Sequence, residues 1–225
     1  MKCEKVRLGY MNILKPQKAI LNELQYESFN KIIKNVKNEK IERMHFENEE
    51  DSEVELYDID FEYCEFNKIT ILSSKLEKTT FKDVTFNNCN FANTSFMNST
   101  FIRCEFNNCK LEGTNFAESI LYNVAFIGTN AKYMNLSLAS IERVLFEDVV
   151  LRNSYFQENK LKNVYFKKVD LTQAQFFKTS LKDIDISDAN IEGIAISIDD
   201  IKGATIDQIQ ALDLLYLIGV KIKGM

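Results

Sequence analysis

The sequence predicts an all-β, four-sided solenoid wound from five-residue units, and three observations point to it. Every fifth residue from Leu56 to Ile206 is apolar, through Phe61, Phe66, Ile71, Leu76 and Phe81 to Ile196 and Ile201, without a slip of phase. A second position, two residues before each of these, is small or modestly apolar, as at Cys64, Cys89, Thr94, Ser99, Cys104, Cys109, Ala139 and Val144. The chain also holds 17 Phe but only seven Gly and one Pro, so its many turns must be built from other residues.

A period of five fits neither a helix at 3.6 nor a strand at 2, so neither regular element keeps all these side chains on one side. A chain that turns a corner every five residues does. Four sides close a coil of roughly 20 residues, and coils stacked about 4.8 Å apart satisfy their backbone groups by hydrogen bonds to their neighbours. Each coil then buries four large and four small side chains. The small ones are required because two bulky residues per side overfill so narrow an interior.

Stretches such as Cys89-Asn90-Phe91-Ala92-Asn93, Thr114-Asn115-Phe116-Ala117-Glu118 and Ala189-Asn190-Ile191-Glu192-Gly193 resemble the A(D/N)LXX unit of pentapeptide-repeat proteins. The resemblance covers about two-thirds of the chain. It implies a right-handed quadrilateral β-helix over 56–206.

The flanks read differently. Residues 1–30 are expected to form a short helix or extended leader. Residues 31–55 form an imperfect capping coil, with Val36, Ile41 and Phe46 on the five-residue phase. Within it, 47–55 holds six acids in nine residues, and Asp51 interrupts the apolar phase, which predicts a protruding acidic loop. That loop is a solvated tip or a contact through Glu49, Glu50, Asp51 and Glu53.

After the coil, 207–225 reads as a helix followed by a strand that caps the open edge. Asp207 and Gln210 have capping-box spacing, Ile209, Leu212, Leu215 and Tyr216 form an apolar stripe, and Gly219 is a helix stop. This apolar content exceeds what one coil end needs, so a homodimer is expected through Ile209, Leu212, Leu215, Tyr216, Ile218, Val220 and Ile222. Among pentapeptide-repeat proteins the ending from Gln210 to Ile222 resembles the dimerisation segment of the quinolone-resistance (Qnr) group, and the passage from Leu181 to Gly203 its Gram-positive members.

Catalytic machinery is not legible. The single histidine, His45, has no nucleophile or phosphate-loop motif beside it, and the cysteines lack CxxC spacing. Four of the five cysteines fall on the inward phase and read as reduced thiols. No enzymatic activity, cofactor or metal is therefore expected. No apolar run is long enough to span a bilayer and the start lacks a signal core, so a cytoplasmic protein without membrane or direct nucleic-acid contacts is expected.

Residues 20 apart stack vertically, so charge can be assigned to faces. The face of Phe66, Phe86 and Phe106 through Ile186 carries seven acids, Asp207 included, against three bases. Its acids are Glu65, Glu105, Glu147, Asp148, Asp185 and Asp188, and it carries Ile127, Leu145 and Tyr165 as outward apolar residues. In the members of the family that act on type II topoisomerases, an acidic rod as wide as duplex DNA occupies the DNA groove. The resemblance thus implies DNA mimicry toward DNA gyrase or topoisomerase IV and quinolone protection. A net charge of −5 equally suits a scaffold binding another protein.

Overall fold

The structure, a computed structural model, describes residues 13–16, 24–33 and 40–220. From Lys40 onward the chain winds into stacked parallel coils offset by 20 residues: Lys40 pairs with Asp60, Asp60 with Thr80, Thr80 with Thr100. Two faces merge into strands of eight residues at Thr100–Asn107, Ile120–Ile127, Ser140–Glu147 and Lys160–Lys167. The other two faces are narrower. There the central residue donates to the next coil, as in Phe91 N–H to the Lys110 carbonyl at 2.8 Å, and a turn closes Thr94 N–H onto the Phe91 carbonyl at 3.0 Å.

The turn chemistry explains the composition. The second residue after almost every central position adopts a left-handed backbone, from Arg43 (φ 55°) to Asp183 (φ 63°). Asparagine tolerates that region better than other side chains that carry a Cβ, and eight of these positions are Asn. Few glycines are then needed. Gly113 (φ 67°) is one of them, and a Cβ there would run into the Asn93 amide one coil below.

The core is a set of side-chain ladders. Phe66, Phe86, Phe106, Phe126, Phe146 and Phe166 stack face to face, with centroids 4.5 Å apart for Phe86–Phe106 and 5.4 Å for Phe146–Phe166. Neighbouring faces meet edge-on, as at Phe91–Phe96, 5.5 Å and 82°. Burial of each ring contributes about 1.5–3 kcal/mol, with further gain from the offset and edge geometries. The small inward residues do more than save space. Thr94, Ser99, Cys104 and Cys109 each donate to the carbonyl 23 positions earlier, for example Thr94 Oγ1 to Ile71 at 2.8 Å.

At the N-terminal end, helix α1 (Phe29–Ile33) seats Phe29 on the first coils, 5.3 Å from Phe46 and 5.8 Å from Phe66. The expected protruding loop at 47–55 is not found. Glu50–Ser52 is a strand paired in register with Thr70–Leu72, and Asp51 opposes Ile71. The polar residue is tolerated because its side chain is only half-buried.

At the other end, helices α2 (Ile198–Ile201) and α3 (Gln208–Asp213) follow the last coil, with a 3-10 turn at Leu215–Ile218 and Gly219 (φ 72°) as its stop. The Asp207–Gln210 capping box forms. The residues turned toward the coil end are Gln210, Leu214 and Leu217, rather than the stripe expected from spacing. Gln210 Nε2 donates to the carbonyls of Ile186 (2.7 Å) and Ala189 (2.6 Å), replacing donors that a further coil would supply. The expected C-terminal strand and Ile222 lie outside the described residues, as does the on-phase Val36.

Candidate functional site

Winding places the N-terminal acids around the rod instead of on a loop. Residues 40–65 hold eleven Asp and Glu against Lys40 and Arg43, and form an acidic collar. Some of these carboxylates serve the fold. Glu49 receives Ser28 Oγ (2.8 Å), Phe29 N–H (2.6 Å) and Asn30 N–H (3.1 Å), so it caps α1 from another part of the chain. Glu62 lies between Lys40 at 2.8 Å and Lys82 at 2.9 Å. Burial works to raise its pKa, but the hydrogen bonds from Lys40 and Lys82 outweigh that and hold it below the ordinary carboxylate value. Glu50, Glu53, Asp58 and Asp60 are exposed and make no ion pair among the described residues. Asp51 Oδ1 turns back onto Ser52 N–H.

The face centred on Phe66 to Ile186 is less open than its sequence suggests. Glu65 faces His45 at 3.3 Å; Glu147 pairs with Lys167 one coil on, and Asp148 approaches Lys168 at 3.9 Å. Asp188 accepts from Lys168 N–H, and Asp185 from Ser187. Ile127 and Tyr165 are half-buried. Leu145, expected as an outward contact residue, is only 2 % exposed, so it is not available as part of an open patch. Two coils back in the same column, Glu105 has a side chain 14 % exposed that lies 3.9 Å from Lys15. The chain itself runs over this face: Leu14 N–H donates to Asn123 Oδ1 at 3.3 Å.

At the C-terminal end, Ile209 (73 % exposed), Leu212, Tyr216, Ile218 (62 %) and Val220 all face outward, with Leu215 half-buried. Tyr216 remains tethered, its hydroxyl donating to the Ile194 carbonyl.

Asp58 and Asp60 were not grouped with the acids of 47–55, because that window stopped at residue 55. A window of one full coil would have included them. Lys15 and Asn123 left no local signal, because their contacts join positions about a hundred residues apart. Also unread were the exposed Leu138, Tyr155, Phe177 and Ile198, whose signal is an apolar residue at outward phase on the faces away from the acidic one.

The described residues hold no cluster of three metal-ligating side chains and no helix long and apolar enough to cross a membrane. A recess lined by Glu53, Val54, Glu55, Ser73 and Lys75 is open and largely polar. Burial drives the Cys64 and Cys104 thiols up to about 12, which leaves them protonated and inert at neutral pH.

A rod of parallel coils with a ladder core, capped at both ends, defines a repeat solenoid. The chain is a pentapeptide-repeat protein: the family described as pentapeptide repeat region matches residues 99–176, and pentapeptide repeats (8 copies) matches 79–117. The chain is also similar to solved structures. HetL, a pentapeptide repeat protein involved in heterocyst differentiation regulation from the cyanobacterium Nostoc sp. strain PCC 7120, is 13 % identical, with 81 % of this chain and 98 % of that one covered and a TM-score of 0.34. Full-length QnrB1, a plasmid-mediated fluoroquinolone resistance protein, is 17 % identical, with 87 % and 95 % covered and a TM-score of 0.33. Rfr23, a pentapeptide repeat protein from the cyanobacterium Cyanothece 51142, is 13 % identical, with 61 % and 91 % covered and a TM-score of 0.24. At these identities the likeness concerns the solenoid alone. No curated protein matches the chain.

Proposed function

We propose that this protein is a non-enzymatic, cytoplasmic binding protein of the Gram-positive Qnr-like type. On this reading it engages a type II topoisomerase, DNA gyrase or topoisomerase IV, by imitating DNA, and so shields the enzyme from quinolones. The acidic collar carries the reading: of its eleven carboxylates within 26 residues, Glu50, Glu53, Asp58 and Asp60 are exposed and outside any ion pair among the described residues, and offer a basic DNA groove a set of anions on a narrow rod. The sequence of the C-terminal ending supports a homodimer, and the outward apolar residues from Ile209 to Val220 supply a surface for it.

The second reading is a scaffold for another protein, without mimicry. It is favoured by the pairing of Glu142 with Lys162, Glu147 with Lys167 and Glu158 with Lys178, which neutralises the faces beyond the collar.

The test is gyrase supercoiling across a titration of the protein, with and without ciprofloxacin, beside a Glu50/Glu53/Asp58→Lys variant. These three positions are exposed, and Glu49 is spared because it caps α1. Supercoiling restored under drug, lost in the variant and weakened by salt, is the expected result. No effect at any concentration of folded protein would leave the scaffold reading.

A further inference from the structure

The corner between the two wide faces holds two outward columns that are unlike the rest of the rod. One is Asp83, Arg103, Asn123 and Arg143; the other is Thr85, Glu105, Ala125 and Leu145, joined by strand register. Side chains at these positions point away from the core. Yet Asn123 is 1 % exposed, Ala125 5 % and Leu145 2 %, so the chain's own atoms cover them. Among the described residues, Ile13–Pro16 lies at this corner, through Leu14 to Asn123 and Lys15 to Glu105.

Two features read as recognition of an extended peptide. The Asn123 amide accepts a main-chain N–H through Oδ1, while its buried Nδ2 has no partner among the described residues. Of the two groups with which an amide can read extended backbone, the Oδ1 acceptor is engaged by Leu14 and the Nδ2 donor is not. The approach of Lys15 to Glu105 at 3.9 Å is the second feature. Residues 1–18 carry Lys2, Lys5, Arg7, Lys15 and Lys18 against Glu4, in a chain whose net charge is −5.

We infer that this corner is a binding site for an extended basic and apolar peptide, occupied in cis by the chain's own Ile13–Pro16 segment. Asn123 reads the main chain, Glu105 the basic side chain, and the Ala125–Leu145 column the apolar ones. A partner that approaches the acidic face at Glu105 must first displace the segment. That competition rests on the function proposed above; the cis site does not.

The chain has no tryptophan, so Leu14→Trp places a unique fluorophore in the segment of the full-length protein. Its emission is expected to be blue-shifted and shielded from acrylamide. Adding Lys15→Glu or Asn123→Ala should shift it to a solvent-like value, and Glu105→Lys should restore the shielded value to the Lys15→Glu protein. Solvent-like emission from Leu14→Trp in a natively folded chain, with an unprotected Leu14 amide in the unsubstituted protein, overturns the inference. So does emission indifferent to Lys15→Glu and Asn123→Ala. Adding gyrase should release the indole. Gyrase that binds and leaves it shielded overturns the competition. Absence of gyrase binding sinks the topoisomerase reading without altering the emission result.

Discussion

Arg103 and Asp83, stacked one coil apart, form a two-point ion pair in which Nε lies 2.7 Å from Oδ1 and Nη2 2.5 Å from Oδ2. The Asp83 side chain is fully buried and that of Arg103 largely so. Such a pair gains little over an apolar replacement, but removing one partner takes a close counter-charge from the other. Arg103→Ala is therefore expected to destabilise the chain in urea unfolding by more than loss of an exposed ion pair, which costs about 0–1 kcal/mol. Asp83→Ala/Arg103→Ala should be more stable than Arg103→Ala alone. A single-substitution cost no larger than that of an exposed lysine would contradict the assignment.

Gln210 ends the rod with a side chain where a further coil would place backbone. Losing its two hydrogen bonds leaves the Ile186 and Ala189 carbonyls without those donors. Gln210→Ala should cost about 1–3 kcal/mol and raise amide exchange in the last coil, with the Phe106–Phe146 region unaffected.

The neighbouring apolar residues make the opposite prediction. Ile209 and Ile218 cover no core, so Ile209→Glu/Ile218→Glu should leave thermal stability of the single chain within about 0.5 kcal/mol. If this end joins two copies, sedimentation will show the unsubstituted chain as a dimer and the variant as a monomer. A monomeric unsubstituted chain at micromolar concentration removes the dimer from the proposal.

The coil was legible because one rule, an inward side chain every fifth residue, repeats from Leu56 to Ile206 with nothing to compete with it. The ends broke that rule for physical reasons. Asp51 read as an interruption because a central position was assumed to be fully buried, whereas in the first coil it is half-open. In α3 the inward face is set by two carbonyls that need donors, so Gln210 turns in and Ile209 turns out, against hydrophobicity. Leu145 sits at outward phase and is covered all the same, in the same corner where Leu14 meets Asn123, and no local pattern encodes a contact across 109 positions. The candidate surface was thus readable as composition, while its accessibility depended on tertiary contacts.

The inward thiols offer a check on the coil interior. Cys64, Cys89, Cys104 and Cys109 are all buried, and Cys64 and Cys104 titrate at about 12 because burial disfavours the thiolate. Iodoacetamide at pH 8 should leave all four unlabelled in the folded chain, read by peptide mass mapping, and label all four in guanidinium. Labelling of Cys104 under native conditions would mean that the coil opens locally far more readily than its Phe81–Phe101 stack at 4.8 Å suggests.

Glu62 ties the collar to pH. Burial alone would raise its pKa, but the Lys40 and Lys82 ammonium groups hydrogen-bond its carboxylate and hold the folded value below the ordinary one. A carboxyl whose folded pKa is depressed contributes stability above its unfolded pKa, near 4.3, and loses that contribution as pH falls through the folded value. Lys82→Ala removes one of the two cations, so the Glu62 pKa should rise and the contribution should begin to fade at higher pH. Carbon-detected NMR titration of Glu62 reads the pKa directly, and the acid-unfolding midpoint should move upward with it. Because Lys82 is partly solvated, the shift in midpoint should shrink when salt is raised from 50 to about 500 mM, where the Debye length falls to a few ångströms. An unchanged Glu62 pKa in Lys82→Ala would show that Lys40 alone sets it and would remove Lys82 from the ion-pair ladder that joins the collar to the next coil.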